Sequence, residues 1–196
     1  YNRSGVRAKD YLPEEILVDV YKEFHSSKRV SILFEGAQGF ELDIDWGDYP
    51  YVTSSHCTVG SAILNGVPPQ KIRNIYGIAK AYRTYVGAKS FEGDSEYFEK
   101  IRTVGGEFGA TTGRPRQVNW IDMNDLEKAI NINGVNKLII NKIDVLDEIG
   151  IFRGIIDGKI REFEDMGYME DYIKDYIQVY CTSVNEVKFS KSPFDI

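Results

Sequence analysis

The chain has 196 residues, of which 42% are hydrophobic and 28% are charged, and its formal net charge at pH 7 is −6. This composition predicts a globular chain with one sizeable core. The negative net charge argues against nucleic-acid binding, which needs a basic stripe. No apolar run reaches the length of about 18 residues that a membrane span needs. The two cysteines, Cys57 and Cys181, are too few for the disulfide framework of a small secreted protein, so we expect reduced thiols and a cytoplasmic location.

The predicted elements alternate between helices and strands. Near Pro13 a helix is expected to begin, with Ile16, Leu17, Val20 and Phe24 on its apolar side. The further predicted elements, in chain order, are a short strand over residues 30–34, a helix over 68–74, an extended run over 75–86, an irregular segment over 90–106, a helix from Asp122 to Gly134, a strand over 137–140, a helix over 168–180 and a last strand over 184–189. This alternation predicts an α/β fold in which a mixed sheet is flanked by helices.

The first candidate site is the sequence Asn-Lys-Ile-Asp at residues 141–144, directly after the predicted strand over 137–140. The carboxylate of Asp144 can accept two hydrogen bonds from the N1–H and N2–H groups of guanine, while the stem of Lys142 lies along the base. Adenine lacks this donor pair, so the motif indicates GTP rather than ATP. A charged exit from a buried strand explains the same four residues equally well.

The second candidate is a run rich in glycine and threonine over residues 106–116. Glycine lets the backbone approach a ligand closely, and threonine hydroxyl and N–H groups suit a carboxylate or a phosphate. Arg114 and Arg116 offer planar forks for the same anions, and Pro115 fixes the backbone between them. The run therefore predicts an anion-binding loop, and a mobile surface loop is the alternative.

The third candidate combines residues 34–39 with residues 49–55. Gln38 can form a hydrogen bond with a purine edge or a ribose, and the hydroxyl groups of residues 53–55 suit a phosphate. A turn at a strand end and an ordinary polar loop are the alternatives. The sequence contains no Gly-x-x-x-x-Gly-Lys-Ser/Thr phosphate loop.

Taken together, these segments resemble adenylosuccinate synthetase. The runs that carry the resemblance are residues 3–7, 33–39, 42–45, 49–55, 80–82, 86–88, 107–116, 120–122 and 142–147. The resemblance implies a P-loop-NTPase-like fold, of which residues 1–196 would form the C-terminal portion of a single domain. We expect the catalytic aspartate and histidine and the Mg²⁺ ligands upstream of Tyr1. This polypeptide alone is therefore expected to be inactive, with no catalytic residue of its own.

The resemblance also implies a reaction. A ligase of purine and AMP biosynthesis would use GTP to phosphorylate the 6-oxygen of IMP, with Mg²⁺ supporting the transfer. The amine of L-aspartate would then displace that phosphate to give adenylosuccinate, GDP and phosphate. The enzyme is expected to be a cytoplasmic homodimer with a shared site, and neither nucleic acid nor membrane is expected as a partner.

Site residues follow from the same resemblance. The implied IMP contacts are Arg3, which would reach the IMP phosphate of the neighbouring subunit, Gln38, Thr53 and Arg114. The implied aspartate contacts are Val86, Ala110, Thr111, Thr112, Gly113, Arg114, Pro115 and Arg116. The implied GTP contacts are Arg116, Lys142, Ile143, Asp144, Ser190, Lys191 and Ser192.

The sequence departs from the family pattern at several positions. Gln117 stands where a further arginine is usual, Tyr85 replaces an arginine, and residues 190–193 match the family only loosely. The short region between Asp147 and Tyr168 resembles compact archaeal and viral members. Three alternatives stay open: a viral 2-aminoadenylosuccinate synthase acting on a guanine nucleotide, a non-catalytic nucleotide-binding fragment, and a fragment of a regulatory GTPase.

Overall fold

A computed structural model describes residues 10–13, 15, 18–25, 30–93, 95–192 and 194–195. The described helices are α1 (Val20–His25), α2 (Gly60–Leu64), α3 (Tyr97–Gly105), α4 (Met123–Asn133), α5 (Ile143–Ile149) and α6 (Met166–Tyr180). The described strands are β1 (Tyr76–Lys80), β2 (Tyr82–Tyr85), β3 (Gln117–Asp122), β4 (Lys137–Asn141), β5 (Arg153–Ile156), β6 (Lys159–Glu162) and β7 (Glu186–Phe189). None of the helices in this part of the chain has the length and apolarity needed to cross a membrane.

The strands form two sheets. One is a parallel sheet with the order β1-β4-β7, and the other is a mixed sheet with the order β2-β3-β5-β6, in which only β3 and β5 run parallel. Ala81 alone separates β1 from β2, so the extended run predicted over residues 75–86 passes from one sheet into the other. The N–H group of Ala81 donates to the carbonyl oxygen of Asn141 at 2.9 Å and keeps this crossing point attached to β4. The predicted α/β class is confirmed, with two sheets in place of one.

The hydrophobic core joins both sheets to helices α3 to α6. Its largest buried side chains include Trp120 on β3 and Phe98 on α3, whose ring centroids lie 5.0 Å apart. Leu138 and Ile140 bring the parallel sheet into the same cluster. Because β4 is buried, it has the nearly continuous apolar sequence that is typical of a parallel strand.

Helix α4 follows the sequence prediction closely. Its N-cap is Asp122, whose carboxylate accepts from the N–H groups of Asn124 and Asp125 at 3.0 and 3.2 Å. Gly134 ends the helix at a φ of 62°, a left-handed conformation that glycine adopts without steric cost. Both ends are set by local chemistry, which is why the sequence predicted them.

Several sequence predictions were wrong in type or extent. Residues 30–34 form no strand and expose much of their apolar surface, since they have no partner strand among the described residues. The segment predicted as irregular contains helix α3, because Phe98 and Ile101 bury one side of it in the core. The helix start predicted near Pro13, with Ile16 and Leu17, lies largely outside the described residues, and the first described α-helix begins at Val20. The predicted helix over 68–74 is only the 3-10 turn Pro69–Lys71.

Candidate functional site

The three parallel strands end at one edge of their sheet, which is where α/β proteins usually bind ligands. β4 leads directly into residues 141–144, and β7 leads into residues 190–192. The N–H group of Ser190 donates to the carbonyl oxygen of Ile140 at 2.9 Å, and the hydroxyl of Ser190 donates to the carbonyl oxygen of Ser192 at 2.7 Å. The structure therefore brings the two predicted GTP-binding segments side by side.

The turn between β4 and α5 arranges the predicted guanine contacts. Lys142 has a φ of 65°, and its Nζ donates to the carbonyl oxygen of Gly105 at 3.0 Å. Asp144 lies exposed in the first turn of α5. The side chain of Ile143 is buried in the core, so only its backbone can meet a ligand. The Oδ1 of Asn141, the first residue of the motif, is buried with no hydrogen-bond partner in the described part of the chain.

Residues 107–116, which we call the anion loop, form a closed hairpin. Phe108 and Pro115 face each other in an antiparallel bridge, and the N–H group of Gly109 donates to the carbonyl oxygen of Arg114 at 2.8 Å. Gly113 has a φ of 64°, which a residue with a Cβ adopts only with strain. Residues 110–115 at the tip are exposed. The loop thus has a fixed neck and presents its threonines and Arg114 to the solvent.

Glu107 stands at this neck and is a buried carboxylate with three side-chain donors. Lys80 Nζ lies 2.8 Å from both of its oxygens, Tyr82 donates its hydroxyl at 2.8 Å, and Arg116 Nη1 donates at 3.0 Å. Burial alone would raise the pKa of Glu107, but the hydrogen bonds and charges of these partners outweigh burial and lower the pKa. Burial and the neighbouring carboxylate raise the pKa of Tyr82. Of these four residues, only Arg116 had a role predicted from the sequence, as a contact of GTP and aspartate.

Residues 38–57, which we call the Gln38 segment, hold two of the predicted IMP contacts. The hydroxyl of Ser55 lies 3.3 Å from that of Thr53 and donates to Gln38 Oε1 at 3.4 Å. The N–H group of Thr53 donates to the carbonyl oxygen of Leu42 at 2.8 Å. Gln38 and Thr53 are therefore close neighbours, as their predicted shared ligand requires.

A buried aspartate organises this segment. Asp43 is 0% exposed and accepts from the N–H groups of Asp45 at 2.9 Å, Trp46 at 3.0 Å and Cys57. Burial would raise its pKa, but these hydrogen bonds outweigh burial and lower the pKa. Backbone N–H groups thus take the place of water around the Asp43 carboxylate.

Arg83 on β2 attaches the Gln38 segment to the rest of the fold. Its guanidinium pairs with Glu41 of the segment, with Asp125 of α4 at 2.9 Å and with Asp122 at 3.6 Å. A second attachment joins the N–H group of Val59, just beyond the segment, to Asn133 Oδ1 at 2.8 Å. An arginine within a short strand gave no signal in the sequence that it would serve as an attachment point.

The structure does not bring all of the predicted substrate contacts together. Within the described ranges, no hydrogen bond or ion pair links Gln38 or Thr53 to Arg114, whose side chain is exposed. Val86 is about half exposed at the end of β2. Arg3 lies outside the described residues.

Gln117 holds the segment that follows Val86. Its Oε1 accepts from the N–H groups of Phe91 at 2.9 Å and Glu92 at 3.1 Å, and its Nε2 donates to the carbonyl oxygen of Lys89 at 2.8 Å. An arginine at this position could not accept the two N–H groups. The departure from the family pattern at Gln117 therefore has a structural role in this chain.

The sequence of this chain is also similar to those of known proteins. The family model described as adenylosuccinate synthetase matches residues 6–170. The adenylosuccinate synthetase of Thermodesulfovibrio yellowstonii is 50% identical over 153 residues, which cover 76% of this chain and 35% of that protein. The enzyme of the same name from Aquifex aeolicus is 41% identical over 166 residues, which cover 80% of this chain and 38% of that protein. The chain thus spans little more than a third of the length of these relatives.

Two solved structures are also similar. The fully ligated adenylosuccinate synthetase from Plasmodium falciparum has a TM-score of 0.67 and 26% identity, covering 81% of this chain and 47% of that chain. The cyanophage S-2L succinoaminodeoxyadenylate synthetase bound to dGMP and dATP has a TM-score of 0.55 and 20% identity, covering 82% of this chain and 44% of that chain. At that identity the phage protein shows a shared fold only.

Proposed function

The chain belongs to the adenylosuccinate synthetase family, and on that basis we propose that it provides the IMP-, L-aspartate- and GTP-binding elements of a ligase. The ligase would join L-aspartate to IMP at the expense of GTP, giving adenylosuccinate, GDP and phosphate on the route to AMP. The observation that carries this proposal is the meeting of residues 141–144, residues 190–192 and the neck of the anion loop at one edge of the parallel sheet.

The guanine nucleotide would occupy the edge formed by β4 and β7. Asp144 would accept from the base, the stem of Lys142 would lie along it, and Ile143 would contribute backbone groups. Ser190, Lys191 and Ser192 would close over the nucleotide. Arg116, with 33% of its side chain exposed beside the same edge, would face the phosphate groups.

The anion loop would hold L-aspartate. The exposed hydroxyl and N–H groups of Thr111 and Thr112 suit a carboxylate, and Arg114 would contact both aspartate and IMP. Ala110, Gly113, Pro115 and Arg116 complete the proposed aspartate contacts of this loop, and Val86 would lie on the aspartate side. Gln38 and Thr53 would contact IMP, and Arg3 of one protomer would reach the IMP phosphate bound by its partner in a cytoplasmic homodimer.

Magnesium belongs to the proposal because phosphoryl transfer from nucleoside triphosphates uses it. In the described part of the chain, the cluster with metal-ligand spacing is Asp43, Asp45 and His56. It does not fit, since Mg²⁺ prefers oxygen ligands in octahedral geometry and the Asp43 carboxylate already accepts three backbone N–H groups. We therefore assign no magnesium ligand among the described residues. We propose that residues 1–196 form part of one synthetase domain.

Nucleotide titration tests the guanine assignment. The chain should bind GTP more tightly than ATP in isothermal titration calorimetry. Asp144→Asn should weaken GTP binding by about tenfold or more, while ATP binding stays unchanged. The amide keeps one neutral acceptor oxygen and turns an NH2 donor toward the second N–H group of guanine. Xanthosine triphosphate carries an acceptor in place of the exocyclic amine of guanine. It should therefore bind to Asp144→Asn more tightly than to the parent chain.

The control is Asp171→Asn, which makes the same charge change on an exposed residue of α6. Equal affinity of the parent chain for GTP and ATP would contradict the guanine assignment. Competition between IMP and dGMP addresses the alternative substrate, since the cyanophage protein was solved with dGMP. The identities of 41–50% to proteins named adenylosuccinate synthetase favour IMP over dGMP.

A further inference from the structure

We propose that Glu107 is a positioning residue that fixes the guanidinium of Arg116 for the phosphate groups of the bound nucleotide. This inference rests on the proposed function of the site. Glu107 does not touch the ligand in this account. It acts through Arg116 and through the neck of the anion loop.

The contacts of Glu107 make it a rigid anchor. Only 2% of its side chain is exposed, and Lys80 and Tyr82 hold its two oxygens from the floor of the site. The guanidinium of Arg116 uses only Nη1 on this carboxylate, and its other guanidinium N–H groups make no hydrogen bond to the described part of the chain. One edge of the guanidinium is thus held by the protein, and the others are free to bind an anion.

The backbone holds Arg116 at further points. Its N–H group donates to the carbonyl oxygen of Glu107 at 3.0 Å, and its own carbonyl oxygen accepts from Arg102 Nε at 2.8 Å. The N–H group of Glu107 donates to the carbonyl oxygen of Arg102 at 2.8 Å. Lys142 reaches Gly105, two residues before Glu107, so the neck is also tied to the proposed guanine motif. The guanidinium therefore lies at a set distance from the base-binding turn.

Two possible roles of Glu107, lowering the local potential and positioning Arg116, predict opposite changes in phosphate binding when its charge is removed. Lys80 and Arg116 surround one carboxylate, so removing that charge makes the site more positive. If Glu107 only reduced the local potential, Glu107→Gln would bind phosphate groups more tightly. If Glu107 positions Arg116, the same variant would bind them more weakly, because the guanidinium loses its charged acceptor.

The experiment compares ligands with and without phosphate groups. Glu107→Gln should bind GTP about tenfold more weakly than the parent chain, whereas guanosine should bind equally well. In the absence of nucleotide, tryptic cleavage after Arg116 should be about tenfold faster in the variant, because the neck is no longer held. The control is Glu99→Gln, which removes the carboxylate that pairs with Arg102 near the same neck. The side chain of Glu99 is 72% exposed. This control should leave GTP affinity and the cleavage rate unchanged.

Each other outcome is informative. Unchanged or tighter GTP binding by Glu107→Gln would overturn the proposal, and so would an equal loss of GTP and guanosine binding, which indicates general disruption. Inorganic tripolyphosphate separates this inference from the proposed function. If the parent chain binds tripolyphosphate in a Glu107-dependent manner but shows no preference for GTP, the guanine assignment fails and the positioning role stands. If it binds neither GTP nor tripolyphosphate, both fail.

Discussion

Replacing Asp43 by alanine should loosen the Gln38 segment, which carries two of the proposed IMP contacts. The carboxylate of Asp43 is fully buried and is the acceptor for three backbone N–H groups, those of Asp45, Trp46 and Cys57. These bonds close the turn over residues 44–46 and connect it to the far end of the segment. Alanine provides no acceptor in their place.

The size of the effect follows from the surroundings of each donor. A hydrogen bond to a charged group contributes about 1.5–3 kcal/mol, so three would contribute several kcal/mol if all were fully buried. Asp45 and Trp46 are exposed enough for their N–H groups to reach water, whereas Cys57 is half-buried. We therefore expect Asp43→Ala to lower the free energy of unfolding by about 3 kcal/mol. Asp43→Asn keeps one acceptor oxygen and should lower it by about half as much.

The assay is urea denaturation combined with hydrogen exchange at the N–H groups of the segment. The folded pKa of Asp43 is lowered, so its contribution to stability is present above the unfolded pKa of about 3.9 and is lost as the pH falls through the folded pKa. The difference between the parent chain and Asp43→Asn should thus be constant from about pH 5 to 7 and shrink below about pH 4.

Asp45→Asn is the matched control, because Asp45 is exposed and its carboxylate pairs with His56 at 3.3 Å. It should change the free energy of unfolding by less than about 0.5 kcal/mol. The reasoning would be refuted if Asp43→Ala unfolded at the same urea concentration as the parent chain and exchange at Cys57 were no faster.

Two further predictions concern the scaffold of the site. Trp120→Ala should lower the free energy of unfolding by about 3–5 kcal/mol, because the ring is buried against Phe98; an equal loss in Trp120→Phe would contradict the cavity argument. Gln117→Leu should destabilise the chain by about 2 kcal/mol and speed amide exchange at Phe91 and Glu92, whose N–H groups lose their acceptor. Gln117→Glu, which keeps the acceptor, should protect those two amides, and equal exchange in both variants would count against the role of Gln117.

The elements that the sequence predicted correctly have local signals. Helix α4 has a carboxylate at one end and a glycine at the other, and β4 is an apolar run of strand length. Helix α6 was predicted two residues short, because its N-cap Asp165 was overlooked. Strand β7 begins two residues later than predicted, at Glu186.

Two of the elements that the sequence did not predict, β3 and α3, depend on distant partners. Strand β3 lies between β2 and β5, and neither neighbour adjoins it in the sequence. Helix α3 is rich in charged residues, and its helical form depends on burying Phe98 and Ile101. Local composition therefore pointed to an irregular segment where the tertiary structure has a helix.

The candidate site divides in the same way. Lys142 and Asp144 could be selected because they belong to one four-residue motif that directly follows a predicted strand. Glu107 could not be paired with Lys80, 27 residues away, nor Arg83 with Glu41, 42 residues away, because only the topology brings them together. The residues proposed to face a ligand could thus be selected from the sequence, whereas the residues that hold them in place could not.

The buried carboxylates also resolve an apparent conflict between net charge and ligand. A chain with a net charge of −6 is proposed to bind three anionic ligands. At the neck of the anion loop, however, the one carboxylate of Glu107 is buried beneath Lys80 and Arg116, and the cations occupy the accessible side. Asp43 is likewise shielded, because it is fully buried and accepts three backbone N–H groups. The local arrangement of charge, rather than the total, therefore decides which ligands the site can hold, and Glu107 contributes to anion binding although it is itself an anion.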